Sequence, residues 1–253
     1  MSTTSHLFQE TPPRPNVLGE LLHSLSQPLT SLRCSLELSL DFPRELTIEE
    51  AVEQQHESVG VALQQIEKVI GMIQLMREYL EAEQPGPQAH PSGVAPALNS
   101  VVEELSSIAA VRGVRLRLVG KCTAVLLLPE ARLKLALQYL IASLIEAQPA
   151  GTKVTLLLGE GPAGAVLRAE CEPGSRDPNF QKPAIQPSRP STPTAVPASL
   201  AALRRARLAI ASRLLEGAGA SLVFGANSNP DRPSPAPTGF VLRIARRPNL
   251  ARS

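Results

Sequence analysis

One histidine stands inside a leucine-rich run, Leu21-Leu22-His23-Ser24-Leu25-Ser26-Gln27-Pro28-Leu29-Thr30-Ser31-Leu32, the strongest local signal for chemistry in the 253-residue chain. A neutral imidazole is both a nucleophile and a proton carrier. His23 directly follows Leu22, a residue of an apolar helical stripe, so it points to the flank of a bundle rather than into it. Pro28 removes one intrahelical hydrogen bond and crowds the carbonyl of Ser24, which predicts a kink about one turn beyond His23. Metal chemistry is not indicated, because His6, His23, His56 and His90 are too widely separated to form a ligand set. Cys34, Cys122 and Cys171 are odd in number and far apart, and read as reduced thiols of a cytosolic protein.

The histidine lies on an element that the spacing defines. Leu18, Leu22, Leu25, Leu29, Leu32, Leu36 and Leu40 recur at helical intervals, and Asn16 is a fitting N-cap. The run 41–44 (Asp-Phe-Pro-Arg) breaks the pattern. Thr47 and Glu50 then form a capping-box pattern that opens a second long helix. That helix carries Val52, Val59, Leu63, Ile66, Ile70, Ile73 and Leu80 on one face. Two long helices joined by a short break predict an antiparallel hairpin over residues 16–83. A lone hairpin leaves its stripe half covered, so a homodimeric four-helix bundle through residues 16–83 is expected.

A different pattern follows. Residues 97–111 read as a helix, 114–119 and 124–128 as strands, 130–147 as a helix with little polar surface, and 153–158 and 165–169 as strands. A helix over 199–216, with Gly217 and Gly219 past its end, and strands at 221–224 and 240–245 complete the series. The fold class is α+β: a helical hairpin followed by an α/β sandwich with helices on one face of a mixed sheet. The prolines punctuate it. Seventeen of the 24 fall in four short stretches, within residues 12–15, 85–96, 178–197 and 230–237. They divide the chain into a disordered tail 1–15, the hairpin 16–83, a linker 84–96 and a domain 97–247 with an extended Pro/Ser/Thr segment at 175–199.

Composition excludes several classes. A net charge of +2 with two tyrosines, five phenylalanines and no tryptophan gives no nucleic-acid footprint. No apolar run approaches the ~18 residues of a membrane span, so no membrane partner is expected. The polar opening 1–15 predicts neither a signal peptide nor a built-in sensor domain, so the input signal would arrive through a partner.

The residues His23, Leu25, Gln27, Pro28 and Leu29 resemble the phosphoacceptor helix of the two-component histidine kinases. There a histidine is followed, in one large branch, by a Glu-Leu-Asn-Gln-Pro-Leu run. The hairpin and the later α+β domain extend the resemblance over nearly the whole chain. It implies that residues 16–83 are the dimerisation and phosphotransfer domain, that 97–247 correspond to the family's ATP-binding domain, and that His23 is the phosphoacceptor. It also implies a role for Gln27, one turn on, in positioning water for dephosphorylation, and response regulator receiver domains as partners, with an upstream sensor kinase as a further one.

Departures from the family pattern shape the functional expectation. Ser24 stands where the family has an acidic residue beside the histidine. Tyr139 and Ser143 replace the two asparagines that serve magnesium and phosphate, and neither substitutes well for an amide carbonyl as a hard ligand. Glu172-Pro173-Gly174 is the nearest match to the adenine motif Asp-x-Gly-x-Gly. Arg205 and Arg207 replace the glycines of Gly-x-Gly-Leu-Ala-Ile, and arginine bars the close backbone approach that glycine allows. The 175–199 stretch falls where the family has its lid over ATP. Thr238-Gly239-Phe240 keeps the closing pattern. The run Gly159–Gly164 matches Gly-x-Gly-x-x-Gly, but a strand follows it, which predicts a hairpin turn rather than a dinucleotide site.

Three readings follow. The first is a cytoplasmic phosphotransferase-like pseudokinase that passes phosphoryl groups between response regulators through His23, with no cofactor. The second is a divergent kinase that uses ATP and Mg²⁺ to phosphorylate His23. The third is a non-catalytic scaffold that docks response regulators.

Overall fold

A computed structural model describes residues 16–40, 47–84, 90–161, 164–173, 198–225 and 239–245. The expectations for the tail 1–15, the break at 41–44, Gly174, positions 175–197 of the lid stretch and Thr238 lie outside these residues. The chain forms two compact units, 1–69 and 70–253, whose boundary falls inside the second helix.

The first unit holds α1 (Val17–Leu40) and the start of α2 (Ile48–Glu83). Both helix starts form as the sequence predicts. The Asn16 Oδ1 accepts the Gly19 N–H at 2.9 Å. Thr47 N–H donates to Glu50 Oε2 at 3.0 Å, and the Glu50 N–H donates back to Thr47 Oγ1 at 3.4 Å. The Thr47 hydroxyl and backbone N–H both donate to the Glu50 carboxylate and hold its pKa below the ordinary value. α1 continues through Pro28, which is itself buried. The buried positions of α1 are Val17, Leu21, Pro28 and Ser35. The neighbouring leucine stripe lies open: Leu22, Leu29, Leu36 and Leu40 are exposed, as are Val52, Val59, Leu63 and Ile66 on α2.

The second unit begins with the last turns of α2 and continues through β1 (Pro91–Gly93), α3 (Val94–Val111), β2 (Arg115–Gly120), β3 (Val125–Leu127), α4 (Glu130–Ala147), β4 (Lys153–Gly161), β5 (Gly164–Glu172), α5 (Ala198–Gly217), β6 (Ala220–Gly225) and β7 (Gly239–Ala245). Five strands form one mixed sheet in the order β2-β4-β5-β7-β6, with only β2 and β4 parallel. The register aligns Leu118, Leu156, Ala169, Phe240 and Phe224 across all five strands. A parallel row joins Leu158, Leu167, Leu242 and Leu222. Because side chains alternate along a strand, these rows share one face, which forms the core. α3, α4 and α5 supply its other half with Leu98, Val101, Leu133, Leu137, Leu140, Ile141, Ile210 and Leu215, all buried, and α4 packs against both α3 and α5.

Some boundaries differ from the sequence expectation. Residues 91–93, inside the predicted linker, pair with β3, and Ser92 Oγ donates to the Leu128 carbonyl at 2.7 Å. α3 begins at Val94 rather than 97, because Pro96 falls in the first turn, where a missing N–H costs nothing. β4 and β5 run on to meet at Gly161 and Gly164, the expected hairpin. Gly239 is required for closeness: a Cβ there would lie 2.4 Å from the Ala169 carbonyl oxygen of β5. α3 is long and apolar enough to cross a membrane by composition alone, but its Val94, Ala97, Leu98, Val101, Leu105 and Ala109 are buried within this unit.

Leu137 is completely buried. Leu137→Ala is expected to cost about 2–5 kcal/mol of stability through lost transfer energy and a residual cavity, read as a lower urea midpoint at unchanged slope.

Candidate functional site

The expected phosphoacceptor stands in the open. His23 and Gln27 lie one turn apart on α1, and both are exposed. Ser24 beside them is half-buried and brings no charge. Leu22 and Leu29, on the adjoining stripe, are exposed as well. An accessible imidazole beside a partly apolar surface can be approached by a folded partner.

The positions matched to the nucleotide motifs are arranged differently. They lie on the second unit, where α4 exposes only a narrow outward strip. Tyr139 sits on that strip and donates its Oη hydrogen bond to Glu78 in the last turns of α2. Burial, and then the neighbouring Glu78 carboxylate, push the Tyr139 phenol well above its ordinary pKa, so it stays a neutral donor. Arg207 on α5 pairs with Glu146 at 2.9 Å, and its guanidinium carbon lies 6.0 Å from the Tyr139 ring centre. Tyr139, Glu146 and Arg207 share the wall of a hollow of about 210 Å³ with Leu105, Ile108 and Ala142.

Ser143 points the other way. It is 1% exposed, and its Oγ has no hydrogen-bond partner. Arg204, one turn before Arg207, likewise has its Nε and one Nη buried and unpartnered. That burial lowers the Arg204 pKa, opposed by the nearby Glu146 carboxylate. Glu172 ends β5, where Lys153 on β4 donates to it at 3.1 Å. Arg205 is exposed. The structure therefore brings Tyr139 and Arg207 together, while Ser143 is closed into the core and Glu172 pairs with Lys153.

These side chains do not fit a magnesium–nucleotide complex. A phenol committed to a carboxylate, a serine hydroxyl closed inside the core and an arginine paired with Glu146 offer no set of hard oxygen ligands. The hollow is smaller than the ~300–1,000 Å³ typical of sites for drug-sized ligands. Among the described residues, no group of three His, Cys, Asp or Glu side chains could hold a metal ion.

Sequence reasoning missed Glu78, Tyr79, Arg204 and Arg213 as residues of this region. One signal was available. The chain has only two tyrosines, and both Tyr79 and Tyr139 stand here.

With the geometry described, comparison with known proteins places the fold. The chain superposes on the Acinetobacter baumannii histidine kinase AdeS with a TM-score of 0.55 and 15% identity, covering 88% of this chain and 97% of that one. A histidine kinase from Burkholderia phymatum STM815 matches with a TM-score of 0.41 and 18% identity, over 89% of this chain and 97% of that one. No protein-family model and no curated protein matches the sequence. The fold is that of the histidine kinases: two long helices followed by an α/β sheet domain.

The cysteines give a direct check on the second unit's core. Cys171 faces Val154 across the strand pair, and burial pushes its thiol up to about 11, while Cys34 is exposed. At pH 8 only about one Cys171 in a thousand would be thiolate. Alkylation followed by mass spectrometry is expected to label Cys34 first, with Cys171 reacting appreciably only as the pH rises towards 11.

Proposed function

We propose that this protein is a phosphotransferase-like pseudokinase of two-component signalling, acting in the cytoplasm, that passes phosphoryl groups between receiver domains through His23. The observation that carries the reading is a contrast. The histidine is open to a partner, whereas Tyr139, Ser143, Glu172 and Arg207, at positions matched to the nucleotide motifs, are buried or tied to neighbouring side chains.

The chemistry needs only what the hairpin presents. The unprotonated ring nitrogen of His23 attacks the phosphorus of an aspartyl phosphate on a receiver domain. An N–P bond forms as the acyl O–P bond breaks, and the aspartate leaves as a carboxylate. The proton on the other ring nitrogen is released to solvent. The receiver's own divalent cation screens the charge in transfer. Reversal onto a second receiver completes the relay. Gln27, exposed one turn away, is placed to orient a water that hydrolyses the phosphohistidine.

The active form is a homodimer through residues 16–83. Leu22, Leu29 and Leu36 of α1 and Val59, Leu63 and Ile66 of α2 are all at least one-third exposed in the single chain. Contiguous apolar stripes of this extent favour association. Light scattering is expected to give a dimer at micromolar concentration, and the paired change Leu29→Glu with Ile66→Glu a monomer of unchanged helix content.

Incubating the protein with a labelled, phosphorylated receiver domain is expected to transfer label to the wild type and none to His23→Ala. Incubation with labelled ATP and Mg²⁺ is expected to transfer none. Label from ATP on His23 would make the protein a divergent kinase instead. Absence of His23-dependent label in both arms would leave a docking scaffold.

A further inference from the structure

The last turns of α2 are tied to the outer faces of α4 and α5 by side chains with no part in the phosphotransfer chemistry above. Tyr139 on α4 donates to Glu78. Arg213 on α5 donates to Glu83, and its guanidinium carbon stacks 4.1 Å from the centre of the Tyr79 ring. Arg207 joins the two domain helices, pairing with Glu146 at 2.9 Å beside the Tyr139 ring. All of these residues belong to the second unit.

Isolated surface ion pairs contribute little, because solvent screens them and ordering two long side chains costs entropy. This cluster differs in three respects. Tyr79 is 6% exposed and the Arg213 side chain 24%, so the cation–aromatic contact is largely withdrawn from water. The phenol of Tyr139 is half-buried and cannot lose Glu78 without leaving a donor poorly solvated. Arg213 serves two groups at once, a carboxylate and a ring, so its contacts support one another. A tyrosine at position 139 also has the reach for such a contact, whereas a short asparagine amide would end nearer the helix.

We propose that these residues form an intramolecular latch: Tyr139 and Arg213, with Arg207 bracing Tyr139, clamp the end of α2 onto the outward strip of α4 and the flank of α5. Tyr139 and Arg207, at positions matched to nucleotide-binding motifs, thereby serve a mechanical purpose. This role is independent of the phosphotransfer reading, because every latch residue belongs to the second unit and His23 to the first.

Hydrogen exchange of the full-length protein tests it. Opening of the latch is expected to be read in the amides of residues 76–83. Tyr139→Phe and Arg213→Gln should each speed their exchange by roughly three- to tenfold while leaving strands 153–172 at the wild-type rate. Glu78→Ala, at a half-buried position on α2, is a second route to the same opening should a domain variant fold poorly. Glu78→Ala combined with Tyr139→Phe should speed exchange no more than the larger single change, since both remove one interaction. Lys134→Gln, which breaks only the ion pair with Glu130 elsewhere on α4, should have no effect on residues 76–83. Wild-type exchange at 76–83 in the Tyr139, Arg213 and Glu78 variants overturns the latch, as does simple additivity in the double variant. Label transfer through His23 is read separately, so failure of either proposal is visible without the other.

Discussion

The burial of α4 is the constraint from which the rest of the second unit follows. Leu133, Ala136, Leu137, Leu140, Ile141, Leu144 and Ile145 are buried, and even Ser143 is closed in. A helix buried on most of its circumference needs partners on each side, and α3, α5 and the sheet core supply them. The sheet can serve because its register gathers Leu156, Leu167, Leu242 and their neighbours on one face. Past its first turns, what remains of α4 is the strip of Gln138, Tyr139, Ala142 and Glu146. This strip is where the contacts to α2 and α5 are made.

Close packing also fixes what surrounds the positions matched to the nucleotide motifs. Position 143 has turned into the core, and its hydroxyl goes unpaired at a cost of order 1–3 kcal/mol. Glu172 is spent on a cross-strand pair with Lys153. Arg207 is spent on Glu146. Each of these side chains is fixed by its own neighbours, within a domain that has the histidine-kinase fold.

The hairpin works by the opposite logic. α1 carries two adjacent stripes, one of which is buried at Val17, Leu21, Pro28 and Ser35, while the other leaves Leu22, Leu29 and Leu36 in contact with water. Residues as small and polar as Ser35 occupy the buried stripe, while leucines occupy the open one. Leaving that much apolar surface wet is unfavourable at roughly 25 cal/mol per Å², and burying it against a second copy offsets the loss of freedom on association. His23 lies beside the open stripe, so the surface proposed to assemble a dimer and the group proposed to accept phosphate share the same turns of helix.

Local rules made much of this legible in the sequence. Helical spacing, the Asn16 cap and the Thr47–Glu50 box defined the two long helices, because those interactions are made within four residues of chain. The α4 boundaries followed in the same way, and alternation with glycine placed the β4–β5 hairpin. The three-residue β1 escaped, because a Pro-Ser-Gly segment has no strand propensity and is held only by pairing with β3. The chain alone also marked His23 and the altered motif positions. Only the tertiary structure decided what the altered positions do. Tyr139 meets Glu78 across 61 residues, and Arg213 meets Glu83 across 130. No spacing rule reaches that far. Such pairs exist only because the packing of α4 and α5 against the sheet turns the same narrow faces towards the end of α2.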